Sequence, residues 1–214
     1  MANLLNLEKG QMLNLTKKEP GLVHIKFAGG WDVKKATPPV KGGFIKSLIR
    51  EFTSSNMDYQ YDLDLVAYLK SNNNEVIDTI YFNNRRGNGI WLDQDNRTGA
   101  GSGDDETITL DLTDISNSYS NISDITFAII IYDALNRKQI FSNIENAFVR
   151  IYNPDDGNRE ICRFNLSNDG GSSTACVVGS LNKNESNEWE FKAIGDYISG
   201  DSVNYVKSVV RSRY

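Results

Sequence analysis

The densest concentration of groups able to do chemistry is the segment Asp93–Glu106, DQDNRTGAGSGDDE. It carries Asp93, Asp95, Asp104, Asp105 and Glu106, with Asn96 among them and glycines at 99, 101 and 103. Carboxylates crowded into a short segment repel one another and raise each other's pKa unless a cation lies between them. Glycines let the backbone turn its carbonyls inward. Such a segment supplies the hard oxygen donors that Ca²⁺ needs, roughly six to eight of them at about 2.3–2.6 Å. It is not an EF-hand. With Asp93 as the first ligand, Arg97 falls at the fifth place and Thr98 where the glycine belongs.

Three smaller acidic elements suit the same chemistry. In YDLDLVAYL, Asp62 and Asp64 stand at i and i+2 of a strand and so share a face. Two like charges placed so are costly without a cation nearby. Asp133 follows ITFAIIIY, the most apolar strand, and Asp32 closes Gly30-Trp31-Asp32. One acid at a strand end is commonly a cap or turn residue. Four acidic sites at strand ends, with the glycine-rich loop, are expected to converge at one edge of the fold.

Other chemistries lack their residues. There is one histidine, His24, and there are two cysteines, Cys162 and Cys176, which rules out zinc fingers and HExxH zinc proteases. A Ser-His-Asp triad has only His24 to use, and that residue lies in an apolar, strand-like run. No nucleophile–base pair is evident, and the chain has neither a GxxxxGK[ST] loop nor a GxGxxG turn after a strand. The expectation is a protein that is not an enzyme. Lys and Arg number 23 against 28 Asp and Glu, a net charge of −5, which argues against non-specific nucleic-acid binding. The two cysteines read as reduced, half-buried core thiols. No apolar run reaches the roughly eighteen residues of a membrane span, and MANLLNLEKG lacks a secretory pattern, so a cytoplasmic location is expected.

The elements that must hold these acids are mostly strands. Short runs rich in Val, Ile, Phe and Tyr, bounded by Gly, Asn, Asp and Ser, fall at Leu4–Leu7, Leu13–Thr16, Leu22–Phe27, Tyr61–Leu69, Val76–Phe82 and Thr107–Asp111. They continue at Ile125–Tyr132, Ala147–Asn153, Glu160–Leu166, Ala175–Leu181 and Trp189–Ile194. Trp189, Phe191 and Ala193 alternate with Glu190 and Lys192, one face buried and one wet. The near-continuous apolar run at Ile125–Tyr132 predicts a strand covered on both faces. The fold class expected is all-β, an antiparallel two-sheet sandwich in a single domain spanning residues 1–214. Ser202–Arg213 places Val203, Val206, Val209 and Val210 on one stripe, which predicts a C-terminal helix packed on the sandwich. A turn of helix is expected near Phe141–Glu145.

Gly43–Phe52, GFIKSLIREF, predicts a short inserted amphipathic helix within an enlarged basic loop at 34–58. Phe44, Ile45, Leu48, Ile49 and Phe52 form its stripe, and Lys34, Lys35, Lys41, Lys46 and Arg50 make the segment basic. The stripe either covers one end of the sandwich or docks on an anionic membrane or a partner. Packing is the preferred reading.

Taken in order, these motifs resemble the TerD-type tellurium-resistance and stress-protein domain family. The family's signature is similar to GDN-x-TG-x-GDGDDE, matched here from Gln94 to Glu106, with Gln94 in place of a glycine and Ser102 in place of an acid. Supporting matches are Leu7-Glu8-Lys9-Gly10 followed by Leu15-Thr16-Lys17, Gly30-Trp31-Asp32, Asp62-Leu63-Asp64 and Phe82-Asn83-Asn84. Tyr132-Asp133-Ala134, Asn146-Ala147-Phe148-Val149-Arg150 and the WEFKAIG run ending at Gly195 complete the series. The resemblance implies a β-sandwich that binds Ca²⁺ in acidic loops at one end. Asp62, Asp64, Asp95, Asp104, Asp105 and Glu106 would be the main ligands, with Asn96, Asp32 and Asp133 as further ones. Serine is a poorer Ca²⁺ ligand than aspartate, so Ser102 would weaken one ion position. The implied role is resistance to tellurite or other chemical and phage-related stress, through other stress-resistance proteins as partners. The alternative is a Ca²⁺-dependent sandwich that binds an anionic membrane, through 43–52, or a carbohydrate. A two-ion hydrolase ranks last for want of a base.

The packing reading of the insertion is testable. Burying each large apolar side chain contributes about 1.5–3 kcal/mol. Leu48→Asp should therefore destabilise the isolated protein by several kcal/mol in urea unfolding. A variant that melts like wild type would make the stripe a docking element instead.

Overall fold

A computed structural model of the chain describes residues 4–34, 61–93, 103–166, 168–200 and 202–214. Asp95, Asn96, the Gly43–Phe52 helix and all of the basic insertion beyond Lys34 lie outside the described residues.

Two sheets face each other. The first holds seven strands: β1 (Leu5–Leu7), β3 (His24–Val33), β6 (Arg86–Gly87), β7 (Ile90–Leu92), β8 (Glu106–Asp111), β10 (Ile144–Asn153) and β11 (Arg159–Asn165). Their order is β1-β11-β10-β3-β8-β7-β6. The second holds β2 (Met12–Asn14), β4 (Leu63–Ser71), β5 (Val76–Ile80), β9 (Ile122–Ile131), β12 (Ala175–Lys183) and β13 (Trp189–Ile198), in the order β2-β13-β12-β9-β4-β5. All-β sandwich architecture is thus as expected, with one departure: β1 runs parallel to β11, while the other pairs are antiparallel. The chain reaches β1 first and β11 last within that sheet, so no hairpin dictates their direction.

Period-two patterning explains the core. Leu63, Leu65, Ala67 and Leu69 point between the sheets, and Phe27 of the first sheet stacks on Phe127 of the second with centroids 3.9 Å apart. On β9, Phe127, Ile129 and Ile131 fill this inter-sheet core, whereas Ala128 and Ile130 face outward into a second apolar cluster. The terminal helix (Val203–Arg213) closes that cluster with Val206, Val209 and Val210, its N-terminus capped by Ser202 Oγ accepting from Tyr205 N. Both faces of β9 are therefore covered, which is why its sequence is apolar almost throughout.

Several elements are absent from the sequence pattern. Four-residue helix Leu15–Lys18 replaces the end of the strand expected at Leu13–Thr16. Helix Leu112–Ser118 follows β8, capped by Asp111, whose Oδ1 accepts from Thr113 N and Asp114 N. A one-turn helix at Ala134–Arg137 follows β9. In chain order these helices are α1, α2 and α3, and the terminal helix is α4. The turn expected near Phe141–Glu145 is a 3-10 turn at Phe141–Asn143. Cys162 and Cys176 are free and fully buried rather than half-buried, and burial pushes the Cys162 thiol up to about 12.

Two charged features brace the shell. Lys70, only 2% exposed, lies 3.5 Å from Asp124 on the outer face of the second sheet. Burial raises the Asp124 carboxyl, and the Lys70 ammonium pulls it back. His24, at the start of β3, sits between Asp155 (Nδ1 to Oδ2, 2.7 Å) and Asp111 (Nε2 to Oδ2, 3.4 Å). Both ring nitrogens face carboxylates, so it serves as a clamp and not as the base of a triad.

The clamp has a pH signature. The hydrogen bond to Asp155 raises the His24 pKa, against a smaller loss from burial. A raised histidine pKa stabilises the fold fully below its unfolded value of about 6.5, and the gain disappears as pH rises through the folded value. The melting-temperature advantage of wild type over His24→Gln should be largest near pH 6 and fade by about pH 9. A constant difference across that range would exclude the charged clamp.

Candidate metal centre

Strand directions bring the acids to one end of the sandwich. The end of β3 lies beside the start of β8, with Gly29 opposite Glu106, and beside the start of β10, with Val33 opposite Ile144. In the other sheet the start of β4 pairs with the end of β9, Leu63 opposite Ile131. Glu106 joins the two: from the first sheet it reaches Leu65 N on β4, whose donor its Oε2 accepts at 2.7 Å. That N–H lies beyond the stretch of β4 paired with β5, which begins at Ala67. The carboxylate thus satisfies an edge donor that would otherwise be buried and unpaired.

The three consecutive acids at the start of β8 point three ways. Glu106 points inward. Asp105 extends the ladder sideways: its N–H donates to Gly29 O (2.8 Å), and its Oδ2 accepts from Trp31 N (2.9 Å). Asp104 points to the outer face of the first sheet, where Arg150 on β10 donates to both its oxygens, Nε to Oδ1 at 2.8 Å and Nη2 to Oδ2 at 2.7 Å. Arg150 also donates from Nη1 to Glu160 Oε2 (2.8 Å), and Arg163 donates to Glu160 in turn. The close packing requires glycine at position 30, where an added Cβ would stand 2.3 Å from the Gly103 carbonyl oxygen and 2.6 Å from the Phe148 ring.

Electrostatics separate these carboxyls. Burial raises the Asp105 carboxyl; the Trp31 N–H opposes this, and the charges of Asp32 and Asp104 raise it further. Burial also works against ionised Glu160, but there Arg163 and Arg150 win and its pKa is lowered. Asp32, at the end of β3, accepts from Asn146 Nδ2 at 2.9 Å through Oδ2.

The remaining acids stand elsewhere on the same end. Asp64, 5% exposed, and Asp133 line a cavity of about 350 Å³ on the outer flank of the second sheet, with Phe82, Tyr132 and Val203. Asp133 takes left-handed φ of 53° and accepts from Asn136 Nδ2 (2.6 Å), with Arg137 Nε 3.9 Å away. Asp62 precedes β4, its carbonyl accepting from Tyr132 N at 2.8 Å. Asp93 is held by Lys26 (3.2 Å) and Thr109 (2.8 Å). Among the described residues, no three His, Cys, Asp or Glu side chains stand together in a way that could hold a metal ion. Asp95 and Asn96, in the glycine-rich half of the acidic segment, fall outside those residues.

Sequence reasoning did not find the role of Arg150, Glu160 and Arg163. Arg150 occurs in a quoted motif, but spacing carries no sign that its partner lies 46 residues earlier.

Comparison with known proteins matches the TerD domain family over residues 3–208. General stress protein 16U of Bacillus subtilis is 35% identical over 201 residues, covering 92% of each chain. Tellurium resistance protein TerD of Serratia marcescens is 30% identical over 201 residues, again covering 92% of both. The crystal structure of a homologue of telluride resistance protein (TerD) from Streptomyces coelicolor A3(2) shares the fold, with a TM-score of 0.63 at 20% identity over 89% of this chain and 98% of that one. On sequence match and architecture alike, this chain belongs to the TerD domain family, among tellurium-resistance and stress-response proteins.

Proposed function

We propose that the protein is a non-enzymatic stress-response module that binds Ca²⁺ at the acidic end of its sandwich and acts through protein partners. The observation that carries this reading is the setting of Asp105: a partly buried carboxylate beside Asp32 and Asp104, its carboxyl raised by burial and by those charges. A cation beside such a group would favour its ionised form. The donor set suits a hard ion, since Asp32, Asp105 and the Gly103 carbonyl all lie near Gly30 of β3. Asp95, Asn96, Asp62 and Glu106 would add oxygens at this end, and Asp64, on the outer flank of the second sheet, would serve a separate position. Asp104 and Asp133 already have cationic or amide partners, so their part is to anchor the loops unless an ion displaces those partners. Ca²⁺ would fix the loops and so complete a surface for other stress-resistance proteins.

Calorimetric titration of chelator-stripped protein tests the ion. Ca²⁺ should bind with measurable heat, Mg²⁺ poorly because it demands a tight octahedron. A hundredfold excess of ion over Kd should add about 2.7 kcal/mol of stability. Asp105→Asn should lose most of that gain while keeping an acceptor for Trp31 N. No heat and no gain in wild type would end the calcium reading.

Arg150 gives a separate test of the anchoring chain. Arg150→Met leaves Asp104 and Glu160, both about 15% exposed, without their shared cation. Hydrogen bonds to charged groups contribute about 1.5–3 kcal/mol each. The ion-free variant should lose about 2–3 kcal/mol in urea unfolding, and saturating Ca²⁺ should recover part of it. An unchanged midpoint would show that Asp104 is held by other means.

A further inference from the structure

His24 is the only histidine of the chain, and its ring stands between carboxylates of two different elements. Asp155 belongs to the 3-10 turn Pro154–Asp156, which links β10 to β11. Asp111 is the N-cap of α2, and it divides its oxygens. Oδ1 accepts from Thr113 N (2.9 Å) and Asp114 N (2.8 Å), while Oδ2 faces His24 Nε2. An imidazolium has two N–H donors and can serve both acids. A neutral imidazole has one donor and one lone pair. The contact to Asp155 is the shorter, 2.7 Å against 3.4 Å, which assigns the remaining proton to Nδ1. Nε2 then turns its lone pair toward Asp111 Oδ2, and an attraction at the cap of α2 becomes a repulsion.

α2 rests on few other contacts. It buries only Leu112 and Ile115, and Leu112 N donates to Val23 O at 2.9 Å. In turn it supports the β6–β7 hairpin, whose strands span two and three residues at the edge of the first sheet. Asp111 N donates to Gly89 O (2.7 Å), and a Cβ at Gly89, where φ is 69°, would stand 2.7 Å from Ile115 N. At the other end of α2, the Tyr119 hydroxyl donates to Asp78 Oδ2 on β5 (2.7 Å) and accepts from Asn88 N in the hairpin turn (3.2 Å). Burial and the Asp78 carboxylate push that hydroxyl up to about 12, so this tether keeps its proton at neutral pH.

The other charged groups on these elements do not take the place of the His24 proton. Asp114 on α2 and Asp156 beside Asp155 are further acids. Arg159 is engaged by Glu19 and Asp156, and Lys26, two residues along β3, is engaged by Asp93. We propose that His24 is a proton-operated latch on α2: the charged ring holds the Asp111 cap, and loss of its proton loosens α2 and the β6–β7 hairpin that leans on it. The hydrogen bond to Asp155 raises the His24 pKa. The latch is therefore closed below the unfolded value of about 6.5 and opens as pH rises through the folded value.

A single histidine makes the ring signals in an NMR spectrum unambiguous. Its titration is followed from about pH 6 to about pH 9. Hydrogen-exchange protection factors, which remove the intrinsic pH dependence of exchange, are measured over the same range. Protection of the Thr113, Asp114 and Tyr119 amides should fall about threefold or more, with the midpoint of the ring titration, while amides of β9 and β12 keep theirs. His24→Gln, which carries no charge at any pH, should show low and constant protection in α2. Asp155→Asn removes the charge that favours the imidazolium and should move the ring midpoint and the α2 midpoint down in pH together. Flat α2 protection in wild type overturns the latch, as does a His24→Gln protein whose α2 protection still falls. Ring and α2 midpoints that differ, or that Asp155→Asn leaves in place, overturn it too. A loss shared equally by β9 would be global destabilisation and would overturn the local latch as well.

Discussion

Glu106 is the point on which the acidic end depends. It belongs to one sheet and accepts a main-chain N–H of the other, at the place where β4 has passed the end of its edge neighbour. A buried, charge-assisted hydrogen bond of this kind fixes direction as well as distance. It sets the spacing of the two sheets where β4 and β8 begin, and the residues on either side of it are placed as a consequence. Asp105 is then level with Trp31 N, and Asp104 falls on the outer face within reach of Arg150. Three adjacent acids are each turned to a different partner, although Asp105 still feels the charge of Asp104.

Much of the framework was legible in the sequence because burial leaves periodic marks. β9 is apolar on both faces because two clusters cover it, and α4 shows its valine stripe because only that stripe is buried. Elements without such marks were not legible. α2 has only Leu112 and Ile115 buried in a run of Ser, Asn, Thr and Asp, a composition that reads as loop. β6 and β7 span two and three residues, too few for a period to register. Parallel pairing of β1 with β11 is a matter of topology, and no local pattern encodes it.

At the candidate site, the sequence told composition and not direction. Density of acids marked the segment ending at Glu106, and i, i+2 spacing put Asp62 and Asp64 together. Nothing in that spacing foretold that Asp104 would turn to Arg150, or that Asp64 and Asp133 would stand on the outer flank of the second sheet, apart from Asp32 and Asp105. Those outcomes depend on residues brought together over long separations. The same holds for Lys70 and Asp124, a buried pair assembled from neighbouring strands 54 positions apart.

Charge compensation across this end is uneven, and the unevenness has a direction. Glu160 receives two guanidinium groups and is held ionised despite burial. Asp104 receives a bidentate guanidinium. Asp105 accepts from the Trp31 main-chain N–H and faces the like charges of Asp32 and Asp104. In a partly buried setting a neighbouring charge matters more than in water, so on the proposed calcium reading a cation beside Asp105 would relieve part of that repulsion. Arg150 therefore does two things at once. It pairs with Asp104, and it holds that carboxylate on the outer face, away from the side on which Asp105 meets Trp31 N. Removing the guanidinium would leave the Asp104 charge without that counter-charge and so raise the Asp105 carboxyl further.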